Sequence, residues 1–230
     1  MSAMVTIPTQ LSELDLDDFA GHLTQTIVLS NISWPTYQAM LADMGDHRAT
    51  RIAYDRGILT CKMPSKLHEI INRLLARIVK TLTEELDLEV VDVGSTTLER
   101  EDLARGAEPD TGFYIQNAAR LEGLDPEIPA HLPPDLVIEV DITSPSIERI
   151  EIYRALGVPE VWRYTKRQGL TIYQLQSGFY AESAASVAFP QVTAAQLNQF
   201  LGQRQSQSEN QVIRVVRRWI QQLDTETLMS

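Results

Sequence analysis

The sequence predicts an α/β fold of the α+β kind, a mixed β-sheet flanked by helices, and three observations predict it. The first is strand-like alternation from Leu136 to Ile142. Leu136, Ile138, Val140 and Ile142 fall on one face, and Asp135, Val137, Glu139 and Asp141 on the other. The second is a punctuated helix and a further strand directly after it. Ser144 and Pro145 suit a helix cap and first turn, Ile147, Ile150, Tyr153 and Leu156 recur at helical spacing, Gly157 stands at the stop, and Val158 to Tyr164 reads as a strand. A strand, a helix and a strand in about 30 residues form a βαβ unit, whose strands run parallel. The third is the longest helical pattern, opened by Pro64-Ser65. There Leu67, Ile70, Ile71, Leu74, Leu75, Ile78, Val79 and Leu82 keep the i, i+3, i+4, i+7 spacing.

The remaining elements are weaker but ordered. Residues 1–32 read as a loosely packed lead-in carrying Asp15, Asp17 and Asp18. Ser33-Trp34-Pro35 starts a short helix, and Arg51–Tyr54 and Ile58–Cys61 form a hairpin around Asp55-Arg56-Gly57. Leu88–Val93 is a strand that Ser95–Leu98 extends or bends, and Thr111–Ile115 is another, with Asp110 at its beginning. Residues 116–134, with four prolines, read as a surface connection, and Leu170–Leu175 pairs with Phe179-Tyr180 across Gly178. The main domain is expected over 33–190 and a helical extension over 191–230. That extension holds a short helix from Thr193, a polar link over 203–211, and a last amphipathic helix bearing Val212, Val215, Val216, Trp219, Ile220 and Leu223. Arg214, Arg217 and Arg218 on that helix read as a solvated face.

Composition narrows the class of function. A chain of 230 residues, 43% of them hydrophobic, can bury a full core. A net charge of −11 argues against broad, nonspecific attraction to nucleic acid or anionic lipid, though not against a local basic groove. Cys61 is the lone cysteine, so no internal disulfide forms, and with no leader-like or membrane-spanning run the expected setting is the cytoplasm.

Chemistry points to the acids. Glu139 and Asp141 interrupt one face of what reads as a central strand, and buried carboxylates need a cation: a metal, an arginine or a lysine. They lie toward the C-terminal end of that strand, where open α/β sheets tend to place ligands. No glycine-rich phosphate loop, zinc-spaced Cys/His set or Gly-x-Ser-x-Gly elbow is present, and His22, His47, His68 and His131 are scattered. Oxygen ligands remain, and clustered carboxylates suit magnesium or manganese. Salt bridges are the plainer alternative for the same acids. His68, on the edge of the long helix's apolar stripe, reads most simply as a boundary residue, and Glu69 as a solvated one.

Pro109-Asp110, with Glu139-Val140-Asp141 further along in helix–strand–strand–strand–helix–strand order, resembles the PD-(D/E)XK, or restriction-endonuclease-like, nuclease superfamily. More closely, Pro109–Ile115, Pro134–Val140 and Tyr153–Trp162, with Gly157-Val158-Pro159-Glu160-Val161-Trp162 as the most telling string, resemble the Uma family of putative restriction endonucleases. The similarity covers roughly residues 35–180. It implies a restriction-endonuclease-like core in the order αβββαβ and a metal-dependent endonuclease acting on DNA. Asp110 and Glu139 match the two metal-binding acids for Mg2+ or Mn2+. Asp141 stands where the superfamily has lysine, and is either a third oxygen ligand or a partner for Arg149. The lysine that the Uma family carries on the next helix is here Arg149, which keeps the charge but accepts no proton. The expected site is therefore Asp110, Glu139 and Asp141 as metal ligands, with Arg149 and His68 beside them.

These departures set two expectations for activity: weak, manganese-favoured cleavage, or a catalytically weak or inactive protein that keeps the fold as a binding or assembly module. Superfamily precedent and the apolar face of the last helix suggest a homodimer, unless that helix packs on its own core. The geometry should place Asp110 and Glu139 on one face, close enough to share an ion, with Arg149 reaching Glu139 or Asp141.

Overall fold

The computed structural model describes residues 25–45, 50–121, 123, 126–142 and 147–229. In chain order the strands are β1 (Gln25–Leu29), β2 (Arg51–Asp55), β3 (Ile58–Met63), β4 (Val91–Gly94), β5 (Leu98–Arg100), β6 (Arg105–Ala107), β7 (Thr111–Tyr114), β8 (Leu136–Asp141), β9 (Glu160–Thr165), β10 (Gly169–Gln176) and β11 (Phe179–Ser183). The helices are α1 (Trp34–Met44), α2 (Lys66–Glu85), α3 (Ile147–Leu156), α4 (Ala194–Gln203) and α5 (Glu209–Met229).

The strands form two sheets. One has the order β1-β3-β2-β6-β5, the other β11-β10-β9-β8-β7-β4. The second is the mixed sheet that the sequence leads one to expect. β8 and β9 run parallel, whereas β4–β7, β7–β8, β9–β10 and β10–β11 are antiparallel. The chain passes α2, β4, β7, β8, α3 and β9 through this sheet, but between β4 and β7 it leaves to place β5 and β6 in the other sheet. The expected αβββαβ order is interrupted there.

Local chemistry explains the elements that were anticipated. Ser33 and Ser65 cap α1 and α2, each side chain accepting the N–H three residues on, and Pro35 sits in the first turn of α1. Arg56 and Gly57 both take positive φ (46° and 99°), the backbone of a two-residue hairpin loop whose twist suits β2 and β3. α3 ends at Gly157 (φ 80°), with its N–H on Arg154 O and that of Val158 on Tyr153 O, the paired bonds of a left-handed helix stop. Ser144 and Pro145, expected to open α3, lie outside the described residues.

Four expectations change. The lead-in is not all loose, because Gln25–Leu29 pairs along β3 as β1. The strand expected from Leu88 starts only at Val91, and the segment after it crosses to the other sheet. The link over 116–134 is not purely superficial, since Leu121 and Leu132 bury against Tyr114. The apolar face of α5 packs on the chain's own core, so it no longer suggests a homodimer: Val212, Ile213, Val216 and Ile220 are buried there. Arg217 on its other side pairs with Glu84 and Glu85, a charged face rather than a phosphate site.

β8 explains the layout. Leu136, Ile138 and Val140 face the main core, formed with Leu74, Leu75 and Ile78 of α2, Leu197 and Phe200 of α4, and α5. Val137 faces the other way, toward Ile152 and Tyr153 of α3 and toward Ala53, Leu98 and Ala107 of the five-stranded sheet. By the period of two, Glu139 and Asp141 share the face of Val137. They point into the seam between the two sheets and α3.

Candidate active site

Two adjacent strands deliver the principal acids. The N–H of Asp110 donates to Ile138 O (3.2 Å), and its Oδ2 accepts the N–H of Val140 (2.7 Å). The side chain thereby continues the β7–β8 ladder past the start of β7. It also sits next to Glu139, at the middle of β8. Both carboxylates are buried.

All five expected residues converge. His68, in the first turn of α2, places Nε2 2.8 Å from Asp110 Oδ2. It is wholly buried rather than a boundary residue. Arg149 Nη1 lies 3.5 Å from Glu139 Oε1, the reach expected of it. Arg149 also donates to the carbonyls of Glu108 (3.3 Å) and Arg51 (3.4 Å), so it braces α3 against the five-stranded sheet. Asp141 pairs with Arg163 rather than with Arg149; its Oδ2 takes Nε and Nη2 of Arg163, both at 2.8 Å. Glu69 stays half-buried between Arg51 and Arg73.

Three residues beyond the expected five belong to the site. Lys62, on β3, is buried and places Nζ 3.9 Å from Asp110 Oδ2, 3.9 Å from Glu139 Oε2 and 3.6 Å from Asp141 Oδ1. Its one hydrogen bond within the described residues goes to Val140 O (2.9 Å). Tyr153 donates to Glu139 Oε1 across a short 2.5 Å. Arg163 stands opposite Glu139 in the β8–β9 register. Tyr153 carries a signal in the resemblance; Lys62 carries none, being one charged residue at the end of a short apolar strand.

The environment pushes the two acids apart. Burial alone would raise Asp110, yet the charges of Lys62 and Arg149 and the contact with His68 outweigh it, holding that carboxyl well below the usual range. For Glu139, burial wins over Arg149 and Lys62, with the neighbouring Asp110 and Asp141 adding to it, so its carboxyl is pushed up. Burial and the charge of Glu139 raise the Tyr153 phenol well above its ordinary value, leaving it a hydrogen-bond donor.

Among the described residues, Asp110 Oδ1 and Glu139 Oε2 are buried with no hydrogen-bond partner. Buried polar atoms are rarely left so, and an orphaned carboxylate oxygen is a ready ligand for a hard cation. This pair fits a divalent ion. Among the described residues, however, no group of three or more His, Cys, Asp or Glu side chains is arranged to hold a metal. Arg163 pairs with Asp141 Oδ2, and Lys62 Nζ stands 3.6–3.9 Å from all three acids, so cations already neutralise the set expected to hold a metal. A groove of about 440 Å³ runs past Asp110 and Thr111, the Asp110 carboxylate itself being buried, with Arg51, Arg73, Arg77 and Lys80 on its walls beside Glu69 and Asp92.

The other buried acids have structural duties. Asp135 accepts the N–H groups of Ile115 (2.7 Å) and Asn117 (2.9 Å), and Glu108 accepts from the N–H of Ile52 and the Thr97 hydroxyl. Glu160 accepts from Trp162 Nε1 (2.5 Å), Ser186 Oγ (2.6 Å) and the N–H groups of Val187 and Ala188. That network accounts physically for the Glu160-Val161-Trp162 string.

Residues 34–209 match Uma2, described as putative restriction endonuclease. The chain belongs to the Uma2 family. The match runs past the roughly 35–180 expected from motifs, taking in α4 and reaching the start of α5. The Uma2 chain is similar in fold to the crystal structure of a putative nuclease belonging to DUF820 from Anabaena variabilis. The TM-score is 0.52 at 15% identity, covering 73% of this chain and 98% of that one. No curated protein sequence matches. Among the described residues no helix is long and apolar enough to cross a membrane.

Proposed function

We propose that this Uma2 chain is a metal-dependent endonuclease that hydrolyses DNA phosphodiester bonds, with Asp110 and Glu139 holding Mg2+ or Mn2+. The observation that carries this reading is the convergence of these two buried carboxylates from adjacent strands, each with an orphaned oxygen. A divalent cation held there supplies a polarised phosphate and a bound water of lowered pKa. The chain's own residues do the rest. His68 and the Val140 N–H fix Asp110, Tyr153 and Arg149 fix Glu139, and Arg163 holds Asp141 back. Arg51, Arg73, Arg77 and Lys80 on the groove beside Asp110 offer phosphate contacts by exchanging their ion pairs with Glu69, Glu209 and Asp92, despite a net charge of −11. Turnover is expected to be slow and to favour manganese.

A second reading has one observation in its favour. Asp110, Glu139 and Asp141 are matched by Lys62, Arg149 and Arg163, so the cluster closes on itself as a charge-balanced network. A protein that never loads metal would keep this fold as a binding or assembly module. Calorimetric titration of Mn2+ into wild type and Asp110→Asn separates the two. Binding in wild type that is lost in the variant supports the nuclease reading; no binding in either supports the module.

A further inference from the structure

Among the described residues three Lys or Arg cations face the acids of this site, and they differ in how far their donors are engaged. Arg163 directs two nitrogens at Asp141 Oδ2, both at 2.8 Å. Arg149 gives donors to two backbone carbonyls as well as to Glu139. Lys62 differs. An ammonium has three donors, and within the described residues only the bond to Val140 O is made. Its carboxylate neighbours stand at 3.6–3.9 Å, beyond hydrogen-bond length. On the acid side, Asp110 Oδ1 and Glu139 Oε2 likewise have no hydrogen-bond partner within the described residues. An ammonium and two carboxylates thus face one another across a gap that none of them closes.

Such a cluster is a poor stabilising device. Buried ion groups gain little over apolar packing unless their geometry is tight, and β3 elsewhere meets its neighbours with apolar or small side chains. The position of the Nζ suggests its use. It hydrogen-bonds the carbonyl of Val140, the residue directly between Glu139 and Asp141, and lies nearest the Asp141 carboxylate. A cation held there sits beside whatever Asp110 and Glu139 bind.

We propose that Lys62 is the catalytic cation of this site, contacting the scissile phosphate and stabilising the charge that develops on it; this rests on the nuclease reading above. The oxygen of water bonds to phosphorus and the bond from phosphorus to the leaving sugar oxygen breaks. The water loses a proton to solvent, and the leaving oxygen takes one from solvent. Lys62 stays protonated throughout, acting by charge and hydrogen bonding alone. Before metal loads, the same ammonium balances Asp110 and Glu139, and so competes for them.

The test uses the full chain with Mn2+ and compares wild type, Lys62→Met, Lys62→Arg and Glu139→Gln. In Lys62→Met, kcat should fall on the order of 100-fold with KM nearly unchanged. Calorimetry should show Mn2+ binding tightened roughly tenfold, because no ammonium competes for the carboxylates. Lys62→Arg should be intermediate in kcat. A Lys62→Met enzyme that cuts at the wild-type rate, or that binds Mn2+ no more tightly, overturns the proposal while leaving the nuclease reading intact. Wild-type cleavage that Glu139→Gln does not abolish overturns that reading, and this proposal with it. If Lys62→Met fails to fold by circular dichroism, Lys62→Arg decides: a loss in kcat greater than about threefold at unchanged KM upholds the role, and a smaller one overturns it.

Discussion

His68 Nε2 and Asp110 Oδ2 lie 2.8 Å apart, both sealed from solvent, joining the first turn of α2 to the entrance of β7. A histidine that orients a ligating carboxylate acts on metal affinity without touching the metal. His68→Leu is expected to weaken Mn2+ binding about 10–100-fold, measured by calorimetry. It should also lower stability by about 1–3 kcal/mol, since a buried carboxylate loses a partner.

The opposite displacements of the two acids give opposite stability effects in the metal-free protein. Asp110, held low in the folded state, contributes stability above its unfolded pKa, and this is lost as pH falls through the acid range. Glu139, pushed up, contributes stability below its unfolded pKa, and this is lost as pH rises through its folded value. At neutral pH with chelator, Glu139→Gln should therefore melt higher than wild type and Asp110→Asn lower. Melting curves at pH 4 and pH 7 check this: the gain from Glu139→Gln should shrink at the lower pH.

Tyr153 gives Glu139 its short hydrogen bond. Tyr153→Phe removes the hydroxyl and keeps the ring in the core beside Ile152 and Val161. Stability should drop by about 1–3 kcal/mol, and Mn2+-dependent cleavage should fall at least several-fold because the carboxylate loses its fixed orientation. Denaturant unfolding and initial rates measure the two effects.

Arg149 occupies the Uma family's lysine place, and if that place needs a group able to exchange a proton, Arg149→Lys is a gain. Its guanidinium instead bridges Glu139 and the carbonyls of Glu108 and Arg51, a fork that a single ammonium cannot reproduce. Arg149→Lys should lower both melting temperature and cleavage rate.

Much of this was legible in the sequence because it rests on short-range rules. The alternation in β8, the caps at Ser33 and Ser65, the stop at Gly157 and the parallel β8–β9 pair arise from periodicity and punctuation. The convergence of Asp110 with Glu139 was legible through the Pro-Asp and Glu-Val-Asp motifs. What stayed hidden depends on long-range pairing. The excursion of β5 and β6 into a second sheet puts β3 against the acids, and nothing local to Lys62 announces it. Asp141 chose Arg163 over Arg149 because parallel register sets Arg163 opposite Glu139, one strand away, a relation that spacing along the chain does not reveal. The last helix was correctly periodic, but periodicity cannot say whether an apolar face meets its own core or another chain.

The central claim is that Asp110 and Glu139 form a metal seat for phosphodiester hydrolysis. The most direct measurement is cleavage of supercoiled and single-stranded DNA by wild type and Glu139→Gln, with Mn2+, Mg2+ or chelator. The expected result is slow cleavage with Mn2+, weaker cleavage with Mg2+, none with chelator and none by the variant. Cleavage that persists in Glu139→Gln, or a wild type that cuts with neither metal, would contradict it.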